Sequence, residues 1–494
     1  KLEEISGALQ RFKQSGKPII AIGDNFSQSQ YFLAAHADEI IMNPLGSIML
    51  TGFGSYSSFY KEALDKLKIN IHIFRVGKYK SAVEPYMGNG MSPEARADRR
   101  ELIGSLWQFY TSRVEQLRGL PTGALNDLVN NMHTNLVAEN GDVAALALKQ
   151  GLIDRVATRR EASAYLQQIL PHTNGDIDSV PMAAYLNHMK LAALNASNQR
   201  KPEIAVVVAS GTILDGNQPE GTVGGDTLAD IFSTIEDDEQ VKAVVIRVDS
   251  PGGSAFASDV IRDAIAALRK KNIPVVISMG SYAASGGYWI ATESDRIMAL
   301  STTITGSIGV FGVIPTFEES LNALGIYSDG VGTTSIAGML QLDRPMTEQT
   351  EMILQSGVEH VYARFLALVA NARETTPNAI HEIAQGRVWT GEKALELGLI
   401  DELGDLQDAI ASAATLAGIS DYKVNYRRKP LSVVEQVMME ISGNVHAAVS
   451  VMGLHSWLPV SLQRQVESVI KPLQILDTLT DPNHIYLYCD SCPL

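Results

Sequence analysis

The sequence predicts an α/β protein made of two tandem repeats, each with a mainly parallel sheet and flanking helices. Apolar runs with the length of buried strands alternate with segments of amphipathic helical periodicity. Segments of the first part of the chain recur about 247 to 260 residues later, which indicates duplication of one unit. At 494 residues, with 45% apolar and 19% charged side chains, the chain is long enough for two or three domains.

The repeat is visible in five pairs of short segments. They are 18–22 with 274–278, 31–34 with 288–291, 37–41 with 294–298, 46–48 with 306–308, and 151–154 with 398–401. We therefore expect a first repeat over 1–170, a connecting segment over 171–202 that becomes helical, a second repeat over 203–418 and a C-terminal segment over 419–494. Because nothing in the chain matches the first strands of the second repeat, we expect further N-terminal sequence in the whole protein.

The composition and the cysteine count argue against several functions. A formal net charge of −15 argues against a nucleic-acid partner. Cys489 and Cys492 are too few for a zinc site without further ligands nearby, so we expect a local disulfide or two free thiols, and no metal or other cofactor is implied. No signal peptide or transmembrane helix is visible, and 441–462 is predicted to be an interfacial or a core-packing stretch rather than a span.

Ser285 is the most informative residue, because small residues surround it between an apolar strand and an apolar helix. The strand is predicted over 274–277, a tight turn of small residues follows, and the helix starts with 288–291. A serine at such a corner exposes its hydroxyl beside N–H groups that lack helical partners, which is how a nucleophile is displayed next to oxyanion donors. The alternative is a turn whose small residues serve packing alone.

A second loop favours acyl transfer. The segment 249–253 follows the predicted strand 244–248, and Gly252 and Gly253 let the backbone approach a ligand with N–H groups free to bind an oxyanion. An ordinary Pro-Gly turn is the alternative. The pairing of this loop with the Ser285 segment, one strand apart, is what indicates an acyl-transfer site.

A serine hydroxyl needs a base to become a useful nucleophile. No histidine lies between Ser285 and His360, and His360 and His381 fall in predicted amphipathic helices, so a Ser-His-Asp triad is poorly supported. A lysine can serve if burial lowers its pKa and keeps the amine neutral. Lys80 follows a strand-like run and has apolar neighbours, although most lysines are solvated and Lys78 is a rival two residues away.

The two repeats differ in a reciprocal way. In the alignment Gln28 takes the place of Ser285, and Lys80 takes the place of Ser335. The first repeat therefore has the lysine and the second has the serine. This reciprocal loss favours Lys80 as the partner of Ser285.

Together these segments resemble the signal peptide peptidase A family, Ser/Lys proteases of the bacterial envelope with a double-length form (protease IV type). The resemblance covers essentially the whole chain. It rests on Asp-Ser-Pro-Gly-Gly at 249–253, Ala-Ala-Ser-Gly-Gly-Tyr at 283–288, Thr-Gly-Ser-Ile-Gly-Val at 305–310, and Tyr-Lys-Ser-Ala-Val-Glu-Pro at 79–85.

The resemblance implies a Clp protease and crotonase-like fold and a role for each matching residue. Ser285 is the expected nucleophile and Lys80 the expected general base. Gly253 and Gly286 are the expected oxyanion donors, with Gly252 as an alternative to Gly253. Ser307 is expected to orient the lysine, unless it only caps a turn.

The resemblance also implies partners and a location. The expected substrates are apolar, extended signal peptides released from preproteins. The expected assembly is a homotetramer, associated with the bacterial inner membrane through an N-terminal anchor missing from this chain, with its catalytic part facing the periplasm. The alternatives are a crotonase-like acyl-CoA enzyme, which would need no serine nucleophile, and a non-catalytic ring scaffold.

Overall fold

The structure, a computed structural model, describes residues 1–173, 176–196, 201–331, 333–334, 336–428, 481–490 and 492. The predicted interfacial stretch 441–462 and Ser335 of the repeat alignment lie outside these residues. Within them, no helix combines the length and the apolar character needed to cross a bilayer.

In chain order, the elements up to residue 200 are α1 (Leu2–Lys13), β1 (Ile20–Gly23), β2 (Phe26–Ser27), α2 (Gln28–Ala34), β3 (Glu39–Met42), β4 (Ile48–Met49), α3 (Lys61–Lys66), β5 (Asn70–Val76), a 3₁₀ turn (Ser81–Val83), α4 (Glu84–Met87), α5 (Pro93–Arg118), α6 (Ala124–Asn130), α7 (Met132–Ala138), α8 (Val143–Lys149), β6 (Arg155–Val156), α9 (Arg159–Ile169), β7 (His172–Thr173), β8 (Asp176–Ile177) and α10 (Met182–Ala196). Helix α10 confirms that the predicted connecting segment becomes helical.

From residue 201 onward, the described elements are β9 (Glu203–Ser210), β10 (Ile213–Leu214), β11 (Val223–Gly224), α11 (Gly225–Glu236), β12 (Val241–Ser250), β13 (Gly252–Ser254), α12 (Ala255–Lys270), β14 (Val275–Ala284), α13 (Gly286–Ala291), β15 (Arg296–Ala299), β16 (Ile304–Gly306), β17 (Val310–Thr316), α14 (Glu318–Ala323), α15 (Glu348–Ala372), α16 (Pro377–Ile383), β18 (Val388–Thr390), α17 (Gly391–Glu396), β19 (Glu402–Leu403), α18 (Leu406–Leu416), β20 (Lys423–Arg427) and β21 (Tyr486–Tyr488).

The chain divides into two compact units. The first consists of Lys1–Ser55 and Glu101–Arg200, and the second of Tyr56–Arg100 and Lys201–Leu494. The segment that carries Lys80 therefore belongs to the same compact unit as the second repeat. The repeat boundaries expected from the sequence were drawn from the duplicated segments, whereas these two units are defined by their compactness. The repeat boundaries therefore stay a prediction.

The first unit contains a parallel sheet in the order β1-β3-β6. Its middle strand β3 is a short apolar run with Ile40, Ile41 and Met42 fully buried, as expected for a strand covered on both faces. Tyr31 and Phe32 of α2 pack in the core cluster on one side of it.

The second unit is built on an eight-stranded sheet. Its main path runs β18-β16-β14-β12-β9-β20, with β15 paired to β14 and β19 paired to β15. All pairs are parallel except β16 with β18. The central strands β12 and β14 are buried almost throughout, because helices cover both faces of a parallel sheet.

A second sheet of this unit has six strands in the order β11-β10-β13-β21-β17-β5. Strand β5 comes from the first repeat in sequence and pairs antiparallel with β17 along its whole length, from Asn70 opposite Thr316 to Val76 opposite Val310. The short C-terminal strand β21 pairs antiparallel with both β13 and β17. This sheet therefore joins three distant parts of the chain.

The duplication is seen in matching hydrogen bonds within each unit. Tyr31 Oη donates to the Leu152 carbonyl at 2.7 Å, and Tyr288 Oη donates to the Leu399 carbonyl at 2.6 Å. The ion pairs Arg118–Asp154 and Arg373–Asp401 correspond as well, as do the bonds from the N–H groups of Ile40 and Ile297 to those two aspartates. The predicted fold class, tandem α/β repeats with mainly parallel sheets, is confirmed.

Candidate active site

The eight-stranded sheet brings three of the predicted site segments together at one edge, formed by the carboxyl ends of its parallel strands. These segments contain Gly252, Ser285 and Ser307. In the parallel registers, Ser250 of β12 lies opposite Ala283 of β14, and Ala284 lies opposite Gly306 of β16. Because parallel strands end at the same edge, the segments that follow them are neighbours, and this edge is where α/β sheets bind ligands. Ser285 and Ser307 each stand one residue beyond their strand.

Ser285 occupies a strained backbone position at the junction of β14 and α13. Its φ of 55° and ψ of −111° lie outside the regions favoured by residues with a Cβ, as in a nucleophile elbow. Its N–H donates to the Gly306 carbonyl at 2.8 Å, and its carbonyl accepts from the N–H groups of Tyr288 and Trp289. The strand continues to Ala284, so the expected tight turn of small residues is wrong, and the corner is confined to Ser285 itself.

Lys80 reaches this edge through the six-stranded sheet. The pairing of Val76 with Val310 places the end of β5 beside the start of β17, so the segment after β5 meets the Ser307 segment, which precedes β17. The N–H of Tyr79 donates to the Gln385 carbonyl at 2.9 Å, which fixes the segment further. Lys80 is only 1% exposed as a result.

The Lys80 amine lies among three oxygen atoms. Its Nζ is 2.8 Å from Ser285 Oγ, 3.1 Å from Ser307 Oγ and 3.1 Å from the Ser307 carbonyl oxygen. The rival Lys78 is exposed, with its Nζ 5.1 Å from the centroid of the Tyr79 ring. Of the two lysines, Lys80 is therefore the one that contacts the serine.

Burial changes the acid–base behaviour of Lys80. Desolvation lowers the pKa of its amine from about 10.5 to about 7, and attraction to the Asp490 carboxylate opposes this shift. A substantial fraction of the amine is thus neutral near pH 7, and a neutral amine next to a hydroxyl can accept its proton.

The glycines of the second loop lie against the start of helix α13. A Cβ at Gly252 would be 1.9 Å from the Leu487 carbonyl oxygen, and one at Gly286 would be 3.2 Å from the Gly253 nitrogen. Gly286 is the first residue of α13, where N–H groups lack intrahelical partners. The loop and the helix start therefore hold the predicted N–H donors close together, and only glycine fits at Gly252.

The histidines occupy the helical positions that the sequence predicts for them. His360 lies on α15 and His381 on α16, where His381 Nδ1 is 2.9 Å from Tyr362 Oη. Neither is a hydrogen-bond partner of Ser285 or Lys80 in the described part of the chain. The site therefore pairs the serine with a lysine.

Sequence reasoning missed two groups beside Lys80. Gly386, with φ of 83°, packs so closely that a Cβ would be 2.6 Å from the Lys80 nitrogen. Asp490 accepts from Ser81 Oγ, next to Lys80 in sequence. Asp490 lies between Cys489 and Cys492, which form a disulfide. The Cys-Asp-Ser-Cys motif drew attention only to its cysteines, and no local pattern around Gly386 points to the lysine.

Comparison with known proteins agrees with this geometry. The profile of peptidase family S49 matches residues 11–170 and 267–420, one segment in each repeat. The chain is 40% identical to Protease 4 of Salmonella typhi over 99% of this chain and 78% of that protein, and 38% identical to Protease 4 of Haemophilus influenzae over 99% and 80%. It is 29% identical to the chloroplastic serine protease SPPA of Arabidopsis thaliana over 85% of this chain and 61% of that protein.

A serine held beside a buried lysine at the edge of a parallel α/β sheet, in a chain with these relatives, defines a serine protease. The chain belongs to peptidase family S49. The predicted resemblance to the signal peptide peptidase A family and the prediction of an enzyme of the serine protease class are thereby confirmed.

Proposed function

We propose that this protein is an endopeptidase with a Ser285–Lys80 dyad that degrades cleaved signal peptides and similar apolar peptides through an acyl-enzyme. The observation that carries the proposal is the 2.8 Å separation between the buried Lys80 Nζ and Ser285 Oγ. The neutral amine takes the hydroxyl proton as Oγ attacks the scissile carbonyl carbon. A new C–O bond forms, and the carbonyl electron pair moves onto the oxygen.

The resulting oxyanion needs donors that are already in place. The N–H groups of Gly253 and Gly286 serve this role; the alternative donor, the Gly252 N–H, already donates to Ser250 Oγ at 3.2 Å. Each donor is typically worth about 3–4 kcal/mol of transition-state stabilisation. The Lys80 ammonium then protonates the amine of the leaving peptide as the C–N bond breaks.

Deacylation reuses the same groups. The neutral Lys80 amine takes a proton from a water molecule that attacks the acyl carbon, and the released Ser285 oxygen regains a proton from the ammonium. Ser307 orients Lys80 throughout, because its Oγ and its carbonyl oxygen both lie 3.1 Å from Nζ. No cofactor is required for any step.

The proposal is tested by cleavage of a fluorogenic Leu- and Ala-rich peptide. Ser285→Ala and Lys80→Ala are expected to lose at least about a thousandfold in kcat. Lys78→Ala is the matched control, because that lysine is two residues away and exposed, and it should cleave normally. Full activity of Lys80→Ala would overturn the dyad, and full activity of Ser285→Ala would overturn the peptidase mechanism.

The substrate class has its own comparison. A Leu- and Ala-rich peptide and a Lys- and Glu-rich peptide of the same length are offered to the intact protein, and the apolar peptide should have the higher kcat/KM. An acylating inhibitor should label Ser285, as shown by peptide mass mapping, and Ser285→Ala should remain unlabelled. An unlabelled Ser285 in a protein that does not cleave the peptides would favour the crotonase-like alternative.

We also infer assembly as a homotetramer, and a location at the bacterial inner membrane with the catalytic part facing the periplasm. Exposed apolar side chains of the second unit, such as Ile326, Tyr327 and Val331, support burial against further subunits. The Cys489–Cys492 disulfide supports an oxidising compartment. Light scattering after size exclusion tests the tetramer, and fractionation of cells that express the whole protein tests the location.

A further inference from the structure

The C-terminal strand β21 lies between two parts of the candidate site, here named the oxyanion loop (residues 249–253) and the lysine segment (residues 77–83). One of its neighbours is β13, where Leu487 pairs with Gly253 and Tyr488 with Gly252. Its other neighbour is β17, where Tyr486 pairs with Phe311. Strand β13 overlaps the oxyanion loop, and the pair β17–β5 leads to Lys80. In this sheet, among the described residues, only β21 joins these two parts.

The turn after β21 continues both connections. The N–H of Cys489 donates to the Pro251 carbonyl at 2.8 Å, in the oxyanion loop. The next residue, Asp490, accepts from Ser81 Oγ at 3.2 and 3.1 Å through its two carboxylate oxygens. Asp490 also forms an ion pair with Arg99, and both side chains are largely buried. Cys492 returns to Cys489 through the disulfide and closes this turn.

We propose that Asp490 is a positioning residue for Lys80, and that residues 486–490 with Cys492, here named the C-terminal strap, set the distance between the oxyanion loop and the lysine segment. This inference rests on the proposed function of Lys80 as the general base. The strap contacts the proposed oxyanion donors: Leu487 pairs with Gly253, and a Cβ at Gly252 would lie 1.9 Å from the Leu487 carbonyl oxygen. The strap acts through Ser81 on one side and through Pro251, Gly252 and Gly253 on the other.

The contact with Ser81 is the step that reaches the lysine. Ser81 follows Lys80 directly and begins the 3₁₀ turn that ends the lysine segment. The carboxylate of Asp490 holds the Ser81 hydroxyl, and Arg99 holds the carboxylate while donating to Ser57 Oγ at 3.2 Å. A shift of this turn moves Nζ relative to Ser285 Oγ, and misplacement by about 1 Å can cost a factor of about a hundred in rate.

The charge of Asp490 should affect the pKa of Lys80, an effect that a residue with only a structural role would not have. The charged groups around the lysine segment are Asp490, Arg99, Arg75, Glu84, Arg387 and Asp98. Attraction to Asp490 raises the pKa of Lys80 against the effect of burial. Removal of this carboxylate charge should therefore lower the pKa of the amine, and removal of the Arg99 charge should raise it.

The first experiment measures the pH dependence of kcat/KM in the full chain. Asp490→Asn is expected to lower kcat roughly tenfold. It should also shift the ascending limb of the pH profile, the range in which kcat/KM rises with pH, to lower pH. Arg99→Gln is expected to shift that limb to higher pH. Asp490→Glu, which keeps the charge, should recover part of kcat and the parental limb. Glu239→Gln, at an exposed carboxylate, is the matched control and should leave kcat and the limb unchanged.

A normal kcat together with an unmoved limb in Asp490→Asn would overturn the proposal. A lower kcat with an unmoved limb, or with a limb at higher pH, would overturn it as well, because the loss would then be structural. Failure of the dyad itself gives a different result, since Lys80→Ala would then stay active. If Lys80→Ala is inactive and Asp490→Asn is normal, only the present inference fails.

The second experiment uses the disulfide. The chain has only two cysteines, so a reductant followed by alkylation acts on Cys489 and Cys492 alone. Reduction, or Cys489→Ser with Cys492→Ser, should lower kcat/KM at least tenfold with the assembly and far-UV circular dichroism unchanged. The limb should move in the direction seen for Asp490→Asn. Unchanged activity, or a gain in activity as expected of a strap that only blocks access to the buried Ser285, would overturn the proposal.

Discussion

Lys80 and Ser285 are 205 residues apart in sequence, and Nζ of one lies 2.8 Å from Oγ of the other. Each side chain is positioned by a different sheet: the serine ends a central strand of the parallel sheet, and the lysine follows an edge strand of the six-stranded sheet. The duplication explains how this division arose, because each repeat keeps one of the two groups. The proposed dyad requires that both sheets hold their register.

The first prediction concerns pH. A base must be unprotonated to act, so kcat/KM should rise about tenfold per pH unit below about 7 and level off above it, since burial lowers the pKa of Lys80 to about 7. The measurement is kcat/KM for the apolar peptide between about pH 5 and 9. A profile that is flat from about pH 6 to 9, with chemistry limiting, would contradict the assignment of the base.

The second prediction concerns the stability cost of the buried lysine. The pKa of Lys80 is lower in the folded protein than in the unfolded chain, so the unfolded chain binds more protons between about pH 7 and 10.5. Folding is therefore penalised by up to about 4 kcal/mol near pH 7, and the penalty falls as pH rises through that window. Lys80→Met should be inactive but more stable at neutral pH.

Chemical denaturation at several pH values checks this result. The gain in the free energy of unfolding of Lys80→Met should be below the full penalty, because the three contacts of Nζ with oxygen are also lost. The gain should shrink by roughly 2–3 kcal/mol between pH 6 and pH 9. A difference in stability that does not change with pH would mean that the pKa of Lys80 is not lowered in the folded state.

Some parts of the site could be predicted from the sequence because their signals are local. The small residues around Ser285 and the glycine pair after a strand indicate backbone shapes that few other residues allow. Lys80 has no such local signal, and only comparison of the two repeats favoured it. Its counterpart in that alignment, Ser335, lies outside the described residues.

The remaining parts depend on pairing between segments far apart in the chain. Strand β21 has only three residues, so its sequence gives no usable periodicity, and its place at the centre of a sheet follows from two partners more than 170 residues away. Gly386 matters because the lysine segment lies against it, which no feature of its own neighbourhood indicates. The position of β21 and the contact of Gly386 with the lysine segment both depend on the register between distant segments. That register cannot be derived from the sequence of one short strand.

The third prediction concerns Ser307. Its hydroxyl is one of two Ser307 oxygens that hold the lysine amine, and the carbonyl remains when the hydroxyl is removed. Ser307→Ala should therefore reduce kcat by roughly tenfold and leave KM nearly unchanged. Ser320→Ala is the control, since its hydroxyl donates to the Leu67 carbonyl and is exposed. An unchanged kcat would reduce Ser307 to a turn residue.

The fourth prediction concerns Gly252. A Cβ there would lie 1.9 Å from the Leu487 carbonyl oxygen and 2.5 Å from the Gly286 nitrogen, and φ is 95°. Gly252→Ala must displace the oxyanion loop or the strap, so kcat should fall by about a hundredfold or more. At Gly90 a Cβ meets nothing within 4 Å, and Gly90→Ala should behave as the parent enzyme. Equal kcat in the two variants would show that the loop tolerates displacement.

The last prediction concerns Gln28, which takes the place of the nucleophile in the first repeat. Its side chain holds a loop: Oε1 accepts from the N–H groups of Thr51 and Gly52 at 3.1 and 3.0 Å, and Nε2 donates to the Gly52 carbonyl at 3.3 Å. Ser27 rather than Gln28 caps helix α2, with a relaxed φ of −65°. Position 28 therefore lacks the strained corner that displays Ser285.

Gln28→Ser in a Ser285→Ala background should consequently restore no peptide cleavage. Because the two loop N–H groups lose their acceptor, the free energy of unfolding should fall by about 1–2 kcal/mol. Gln28→Glu keeps an acceptor for both N–H groups and should retain most of that stability. Cleavage by the Gln28→Ser, Ser285→Ala protein would mean that the first repeat lost only its nucleophile and still holds a base and an oxyanion site. Inactivity with lowered stability would mean that the site at position 28 has been rebuilt as a structural contact.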